Sequence, residues 1–283
     1  MSAVSPSVPV PDRIDAVVVP LDHSPFAERA VPIAARLADQ LDASIHLLSA
    51  VTQAADVAAR ERQLREVPLP PGRVHRLVVV DLDPAGAIHE ALRRLYPSVA
   101  CLTSHGRGRS AALTGSVATE VIGRGRDPLV VVGPTVEPQR GRHGVVACVD
   151  GTPASAALLP VAVRWAQLLA EPLVVMTVAE LVPPSLSGGP VRRRFGPPGD
   201  AETWLDLVVG PARDVLGDVE TAVLYDPISP VDGARPFLGD RMPSIAVISS
   251  RARTGLSRII FGSVASAIVN QSPSPVLVVP RLE

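Results

Sequence analysis

A chain of 283 residues with 47% hydrophobic side chains has the length of about two ordinary domains and enough apolar material for sizeable cores. Its formal charge of −1 and 3% aromatic content supply neither a field that gathers nucleic acid or anionic membrane nor a stacking platform for single strands. All 27 basic residues are arginine, which excludes a phosphate-loop lysine, a Schiff base and an ammonium general base.

Residues 1–12 are rich in Ser, Pro and Val, carry no basic region ahead of an apolar core, and read as a disordered lead-in, not a signal peptide. No apolar run approaches the roughly 18 residues of a membrane span, so a cytoplasmic protein without a membrane partner is expected. The first strand is expected at 16–21, a short apolar run ending at Asp22-His23-Ser24-Pro25. Ser24 is placed to cap a helix and Pro25 to occupy its first turn. That helix is expected to run unbroken through Ile33, Leu37 and Leu41, with Pro32 inside it. A second strand follows at 45–51, a short helix at 55–65, and a third strand at 74–80 after the Pro-Gly break at 68–72. Pro84-Ala85-Gly86 opens a helix carrying Ile88, Leu92 and Leu95, and a strand is expected at 99–102. A helix starts at Gly115-Ser116 and a closing strand covers 129–132. Strand and helix alternate throughout, the pattern of a parallel α/β sheet.

The second half repeats this order. A strand at 145–149 ends at Asp150-Gly151-Thr152-Pro153, and Asp150 follows Asp22 by 128 residues. At the same offset Pro160 follows Pro32, Arg164 follows Arg36 and Leu169 follows Leu41. A proline inside a helix costs about 3 kcal/mol, so its recurrence marks an internal duplication. The offset grows to 147 by Gly262-Ser263, and the extra length falls in a Pro/Gly-rich insertion at 182–200 carrying Arg192, Arg193 and Arg194. That composition reads as a mobile segment. The halves are taken as 13–136 and 145–283, with a linker at 137–144. Cys101 and Cys148 lie in apolar strand-like runs, where a free thiol behaves as a small hydrophobe. No disulfide framework is expected.

The candidate site is the stretch from Thr103 through Gly106 and Arg107 to Gly115-Ser116, between a strand and a helix. Such a turn brings backbone N–H groups and a helix N-terminus toward an anion and suits a phosphate. It recurs from Ser249 through Ala252 to Gly262-Ser263. Other constellations are missing: there is no G-x-x-x-x-G-K-[ST], G-x-G-x-x-G, G-x-S-x-G or H-E-x-x-H, and the six histidines are scattered.

Each half resembles a universal stress protein domain, and the whole is similar to the tandem members of that family. The resemblance rests on a first strand ending in Asp, a glycine motif after the fourth strand, a Gly-Ser helix start and a final Val-rich strand after Pro275. It implies two five-stranded parallel α/β domains of Rossmann-like architecture with helices on both faces. It also implies ATP at the carboxyl ends of the strands, magnesium only together with ATP, and an internal pseudo-dimer through the closing strands. A homodimer or a protein partner is compatible with it. By resemblance Asp22 and Asp150 face the adenine and ribose, and Ala50 and Val178 stand at the base-contact position of the second strand. The family's pattern is Gly, two residues, Gly, nine residues, then Gly and Ser or Thr. Here Thr103 stands at the first glycine and only eight residues separate Gly106 from Gly115. In the second half Ser249 and Ala252 replace both leading glycines, while the spacing of nine to Gly262-Ser263 survives.

Three readings follow: a stress or signalling protein that binds ATP without efficient turnover, a tandem scaffold that has lost nucleotide, and an enzyme of adenylate chemistry. The third lacks a recognisable base, nucleophile or metal cluster, so no enzyme is expected. Gly106, which lets backbone approach phosphate, makes the first half the expected host.

Overall fold

The computed structural model of the chain describes residues 11–104, 116–124, 128–138, 143–179, 199–226, 229–250 and 263–280. The first half contains β1 (Ala16–Pro20), β2 (Ser44–Val51), β3 (Val74–Val80), β4 (Ser98–Thr103) and β5 (Leu129–Val132). The second contains β6 (Val145–Val149), β7 (Leu173–Ala179), β8 (Glu220–Tyr225), β9 (Ile245–Ser249) and β10 (Val276–Val279). The two expected five-stranded sheets are fused into one ten-stranded sheet of order β3-β2-β1-β4-β5-β10-β9-β6-β7-β8. Every pairing within a half is parallel, and the single junction, β5 with β10, is antiparallel. Its register sets Val276 against Val131, Leu277 against Val130 and Val278 against Leu129.

The helices α1 (Pro25–Glu28), α2 (Ala30–Gln40), α3 (Val57–Glu66), α4 (Pro84–Arg94), α5 (Ser116–Arg124), α6 (Pro153–Ala156), α7 (Leu159–Leu169), α8 (Asp200–Leu216), α9 (Pro230–Arg241) and α10 (Ser263–Gln271) cover both faces. Period-two alternation along the strands divides the apolar side chains into two cores. Val17 and Val19 of β1 join Leu37, Leu64, Trp165 and Leu205 from α2, α3, α7 and α8. Val18 joins Ile88, Val121, Leu238 and Ile268 from α4, α5, α9 and α10 on the opposite face. Each core runs across the β5–β10 junction into both halves.

The duplication is written into the hydrogen bonds. Ser24 Oγ accepts from Ala27 N at 3.1 Å, and Thr152 Oγ1 accepts from Ser155 N at 3.1 Å, capping α1 and α6. Ser49 Oγ donates to Leu21 O at 2.6 Å, and Thr177 Oγ1 donates to Val149 O at 2.9 Å. The backbone between cap and strand is left-handed in both, with φ of 59° at His23 and 77° at Gly151. One expectation is corrected. The first helix of each half is not continuous but breaks after one turn, between α1 and α2 and between α6 and α7. Pro32 and Pro160 therefore stand in the first turn of the second piece, where the first four N–H groups have no helical partner to lose. Neither proline carries the interior penalty. Asp200, taken as the end of the insertion, instead opens α8. The rest of that insertion, 182–198 with its arginines, lies outside the described residues. Among the described residues no helix is long and apolar enough to cross a membrane.

The seam between halves is packed and polar by turns. Glu171 accepts from Gln40 Nε2 at 2.8 Å, Ser244 Oγ at 2.7 Å and Gly144 N at 2.7 Å, while Arg36 Nη2 donates to Ser244 O at 3.2 Å. Thr135 Oγ1 donates to Ser272 O at 2.7 Å. Gly133, just past β5, lies so close to α10 that a Cβ on it would sit 2.0 Å from Val269 O. Backbone on one side and a helix carbonyl on the other cannot part without opening the junction. Gly133→Ala is expected to cost about 1–3 kcal/mol as an overpacked site, read as a lower midpoint in thermal or urea unfolding. An unchanged midpoint would refute the close approach.

Burial pushes the thiols of Cys101 and Cys148 up to about 12. The neutral form is the folded form, so its stabilisation is complete below the ordinary thiol pKa of about 8.5 and is lost as pH rises toward 12. Urea midpoints of the wild type are expected to fall between mildly and strongly alkaline pH more steeply than those of Cys101→Ala/Cys148→Ala. Parallel curves would contradict the assignment.

Candidate functional site

In an open α/β sheet the crevice for a ligand forms where neighbouring strands send their connections in opposite directions, beyond the carboxyl ends. Here that point lies between β1 and β4 in the first half and between β6 and β9 in the second. Because the halves meet antiparallel, the two crevices open toward opposite ends of the strand direction.

The second-half crevice holds a cavity of about 120 Å³. The carboxyl end of β6 contributes Cys148 and Val149, followed by Asp150. Met176 and Val178 come from β7, one face of the strand at period two, and Ile248 and Ser249 come from the end of β9. Pro230 and Ala234, one turn apart on α9, close one side, and Ser263, Val264, Ala265 and Ile268 of α10 close the other. The wall is mostly apolar, with Asp150, Ser155, Ser249 and Ser263 as its polar points. Thus the four second-half candidates that are described, Asp150, Val178, Ser249 and Ser263, line one cavity. Ala252 and Gly262 lie outside the described residues.

Local chemistry fixes these groups. Asp150 Oδ1 accepts from Thr152 N at 3.2 Å and from Thr152 Oγ1 at 2.6 Å, while Asp150 N donates to Ser155 Oγ at 3.0 Å. The carboxylate is therefore held by the turn that caps α6. Val178 is 7% exposed and is held from behind by α9. A Cβ on Gly233 would meet Val178 Cγ1 at 2.9 Å, so the missing side chain there sets how far the valine stands from the cavity. Burial favours the neutral form of the Cys148 thiol, which stands in the cavity wall.

In the first half the candidates occupy the matching places in the topology. Asp22 follows β1 and its Oδ1 accepts from Ser24 N at 2.9 Å. Ala50 is the penultimate residue of β2, Thr103 ends β4, and Ser116 opens α5. Gly106, Arg107 and Gly115 lie outside the described residues. The cavity that Thr103 lines holds only about 10 Å³ and is shared with Phe26, Arg29, Ser104, Val132, Gly133 and Pro134. It does not gather Asp22 and Ala50. Among the described residues, the larger of these two cavities lies in the second half.

Sequence reasoning missed the walls formed by Met176, Ile248 and α9. The strand pair could have been read from period two, since Met176 shares a face with Val178. The contribution of Ala234 depends on where α9 packs, and only its four-residue spacing from Pro230 hints at one helix face. Among the described residues no group of three or more His, Cys, Asp or Glu side chains could hold a metal.

The fold has recognisable relatives. The universal stress protein family model matches residues 13–133 and 211–280. A universal stress protein from Archaeoglobus fulgidus DSM 4304 superposes with a TM-score of 0.62 at 17% identity, over 94% of this chain and 98% of that one. A protein of Pseudomonas aeruginosa UCBPP-PA14 given the same family name superposes with a TM-score of 0.54 at 15% identity, over 95% of this chain and 94% of that one. At these identities the structural likeness speaks for the fold. No curated protein matches the chain. With the family model matching more than half of its residues, the chain belongs to the universal stress protein family.

Proposed function

We propose that the chain binds an adenine nucleotide in the second-half crevice and works as a cytoplasmic stress or signalling protein without efficient turnover. The observation that carries this is the convergence of Asp150, Val178, Ser249 and the start of α10 on one apolar-walled cavity at the strand crossover. Each part has a matching role. Met176, Val178, Ile248 and Ile268 offer an apolar slot to the faces of a base. The Asp150 carboxylate accepts from an exocyclic amine or a ribose hydroxyl. The N-terminus of α10, a helix of nine residues, presents positive dipole toward phosphate beside the Ser249 and Ser263 hydroxyls.

Size decides how much of the ligand is enclosed. Pockets that engulf a drug-sized ligand hold about 300–1,000 Å³, so about 120 Å³ accommodates the base and leaves sugar and phosphates toward the mouth. Among the described residues, Asp150 is the only carboxylate lining the cavity. A magnesium ion would therefore have to arrive on the nucleotide's own phosphates, since such sites use one or two carboxylates plus phosphate oxygens. The chain has no lysine, and among the described residues of the lining there is no cation or base suited to phosphoryl transfer. The competing reading, a scaffold acting through protein contacts, draws support from the altered glycine motifs.

Calorimetric titration of ATP, ADP and AMP tests the proposal, together with chromatography of nucleotide released on denaturation. Asp150→Ala is expected to weaken binding by about one to two powers of ten, from the roughly 1.5–3 kcal/mol of a hydrogen bond to a charged group. Gly233→Ala, which drives Val178 into the slot, is expected to weaken it about tenfold. Gly106→Val should leave the heats as they are. Loss of binding in Gly106→Val alone would move the site to the first half, and no heat with any nucleotide would leave the scaffold.

A further inference from the structure

The strand β3 ends the sheet, and among the described residues it is hydrogen-bonded to β2 alone. The ladder fixes which peptide groups face away. Ile45 N donates to Arg73 O at 2.8 Å and Asp81 N donates to Val51 O at 2.9 Å. In a parallel ladder one residue's N–H and C=O point to the same side and alternate along the strand. Arg73, His75, Leu77, Val79 and Asp81 therefore turn their peptide groups to β2, and Val74, Arg76, Val78 and Val80 turn theirs outward.

Edge strands are commonly blunted by proline, bulges or charge. β3 has no proline and no left-handed residue. Its central charge is drawn aside, since Arg76 Nε donates to Leu64 O at 2.9 Å. Leu77 and Val80 remain 48% and 53% exposed, and Leu82 just beyond is 83% exposed.

The edge is complementary to itself. A second copy laid antiparallel about Leu77 sets Leu77 opposite Leu77, Val78 opposite Arg76, Val80 opposite Val74 and Arg73 opposite Asp81. All four outward residues then meet outward residues, so the full length of β3 is hydrogen-bonded, and unlike charges meet at both ends. Arg73 is now paired with the exposed Asp42, and Asp81 Oδ1 accepts from Asp83 N at 2.8 Å. Both can also reach across an edge. Centring on Arg76 would oppose two guanidinium groups, and centring on Val78 would pair Val74 with Leu82, beyond the strand. The other edge lacks this property. Asp226 N donates to Ala179 O, so Thr221, Val223 and Tyr225 face out from β8. Self-pairing about Val223 opposes Glu220 with Asp226, and about Ala222 it opposes Asp218 with Asp226. Like charges directly opposite destabilise a ladder.

We propose that β3 is a homodimerisation edge: two copies of this chain join antiparallel about Leu77 into a closed two-fold dimer that continues the sheet. The device is the one already used between β5 and β10 inside the chain. An isologous contact of this kind closes on itself, and strand addition draws its affinity from main-chain hydrogen bonds. It is independent of the nucleotide reading.

Sedimentation velocity of the full chain over a concentration series tests it. The expected result is a reversible shift from 29.6 kDa to twice that mass. Val78→Pro removes an outward N–H without touching the β2 ladder and is expected to leave a monomer with the wild-type circular dichroism. Leu77→Arg, at an exposed position, is expected to weaken association at least tenfold and decides the matter if the proline variant fails to fold. Arg73→Asp should weaken the dimer and Arg73→Asp/Asp81→Arg should restore it. A monomer at every concentration, a dimer indifferent to Leu77→Arg, or assembly growing past the dimer would overturn the proposal.

Discussion

The antiparallel pairing of β5 with β10 is the constraint on which the rest of the molecule depends. Both strands are four residues long, apolar throughout and buried at every position. Left apart, each would be an unprotected sheet edge. Paired, they let both cores run uninterrupted from one half to the other. The close approach of Gly133 to α10 and the Glu171 cluster are consequences of that pairing, because each joins groups from opposite halves. The orientation of the crevices follows as well. Two halves meeting antiparallel face their strand ends in opposite directions, so one ligand cannot bridge both sites.

Duplication supplied two copies of the same strand-end machinery, and substitution then separated them. The capping hydroxyls, the Ser49 and Thr177 bonds to the end of the first strand, and the pairing of Ser104 N with Val132 O and Ser250 N with Val279 O recur in both. These hold strand ends and helix starts in place and are indifferent to what lies above them. The differences fall where a ligand would lie. Pro20, Leu48 and Ala50 in one half correspond to Cys148, Met176 and Val178 in the other, the three residues that form one wall of the described cavity.

Much of the fold was legible because short apolar runs bounded by Pro, Gly and Asp leave little choice. The bounds of β5, β6 and β10 coincide with their apolar runs, and β3 spans the expected 74–80 although His75 and Arg76 interrupt its apolar residues. The break after α1 was not legible from periodicity, because the apolar spacing continues across Arg29. It was written in Pro32 and Pro160, whose meaning changes once they stand in a first turn. The cavity was harder. Val178 could be placed from the second strand, but its depth depends on Gly233 and Ala234 of α9, and that packing joins elements far apart in the chain. Of the second-half motif, the cavity gathers the two described members, Ser249 at the end of β9 and Ser263 at the start of α10.

Charge in this molecule is spent at the surface. The ion pairs Arg93–Glu90, Arg94–Glu90, Arg213–Asp206 and Arg241–Glu220 join exposed groups, and such pairs contribute about 0–1 kcal/mol each. Arg36 is different: burial pulls its guanidinium below the ordinary arginine value, with Glu171 opposing that shift, so the seam keeps its cation by charge as well as by hydrogen bonding. The candidate site follows the opposite rule from the surface. The Asp150 carboxylate is already held by Thr152 N and Oγ1, which fixes its direction before any ligand arrives. A ligand that donates a hydrogen bond to Asp150 meets an oriented acceptor and does not have to order it. On the proposed reading, a fixed carboxylate at one end of the crevice and a helix N-terminus at the other suit a molecule that is a donor at one end and an anion at the other.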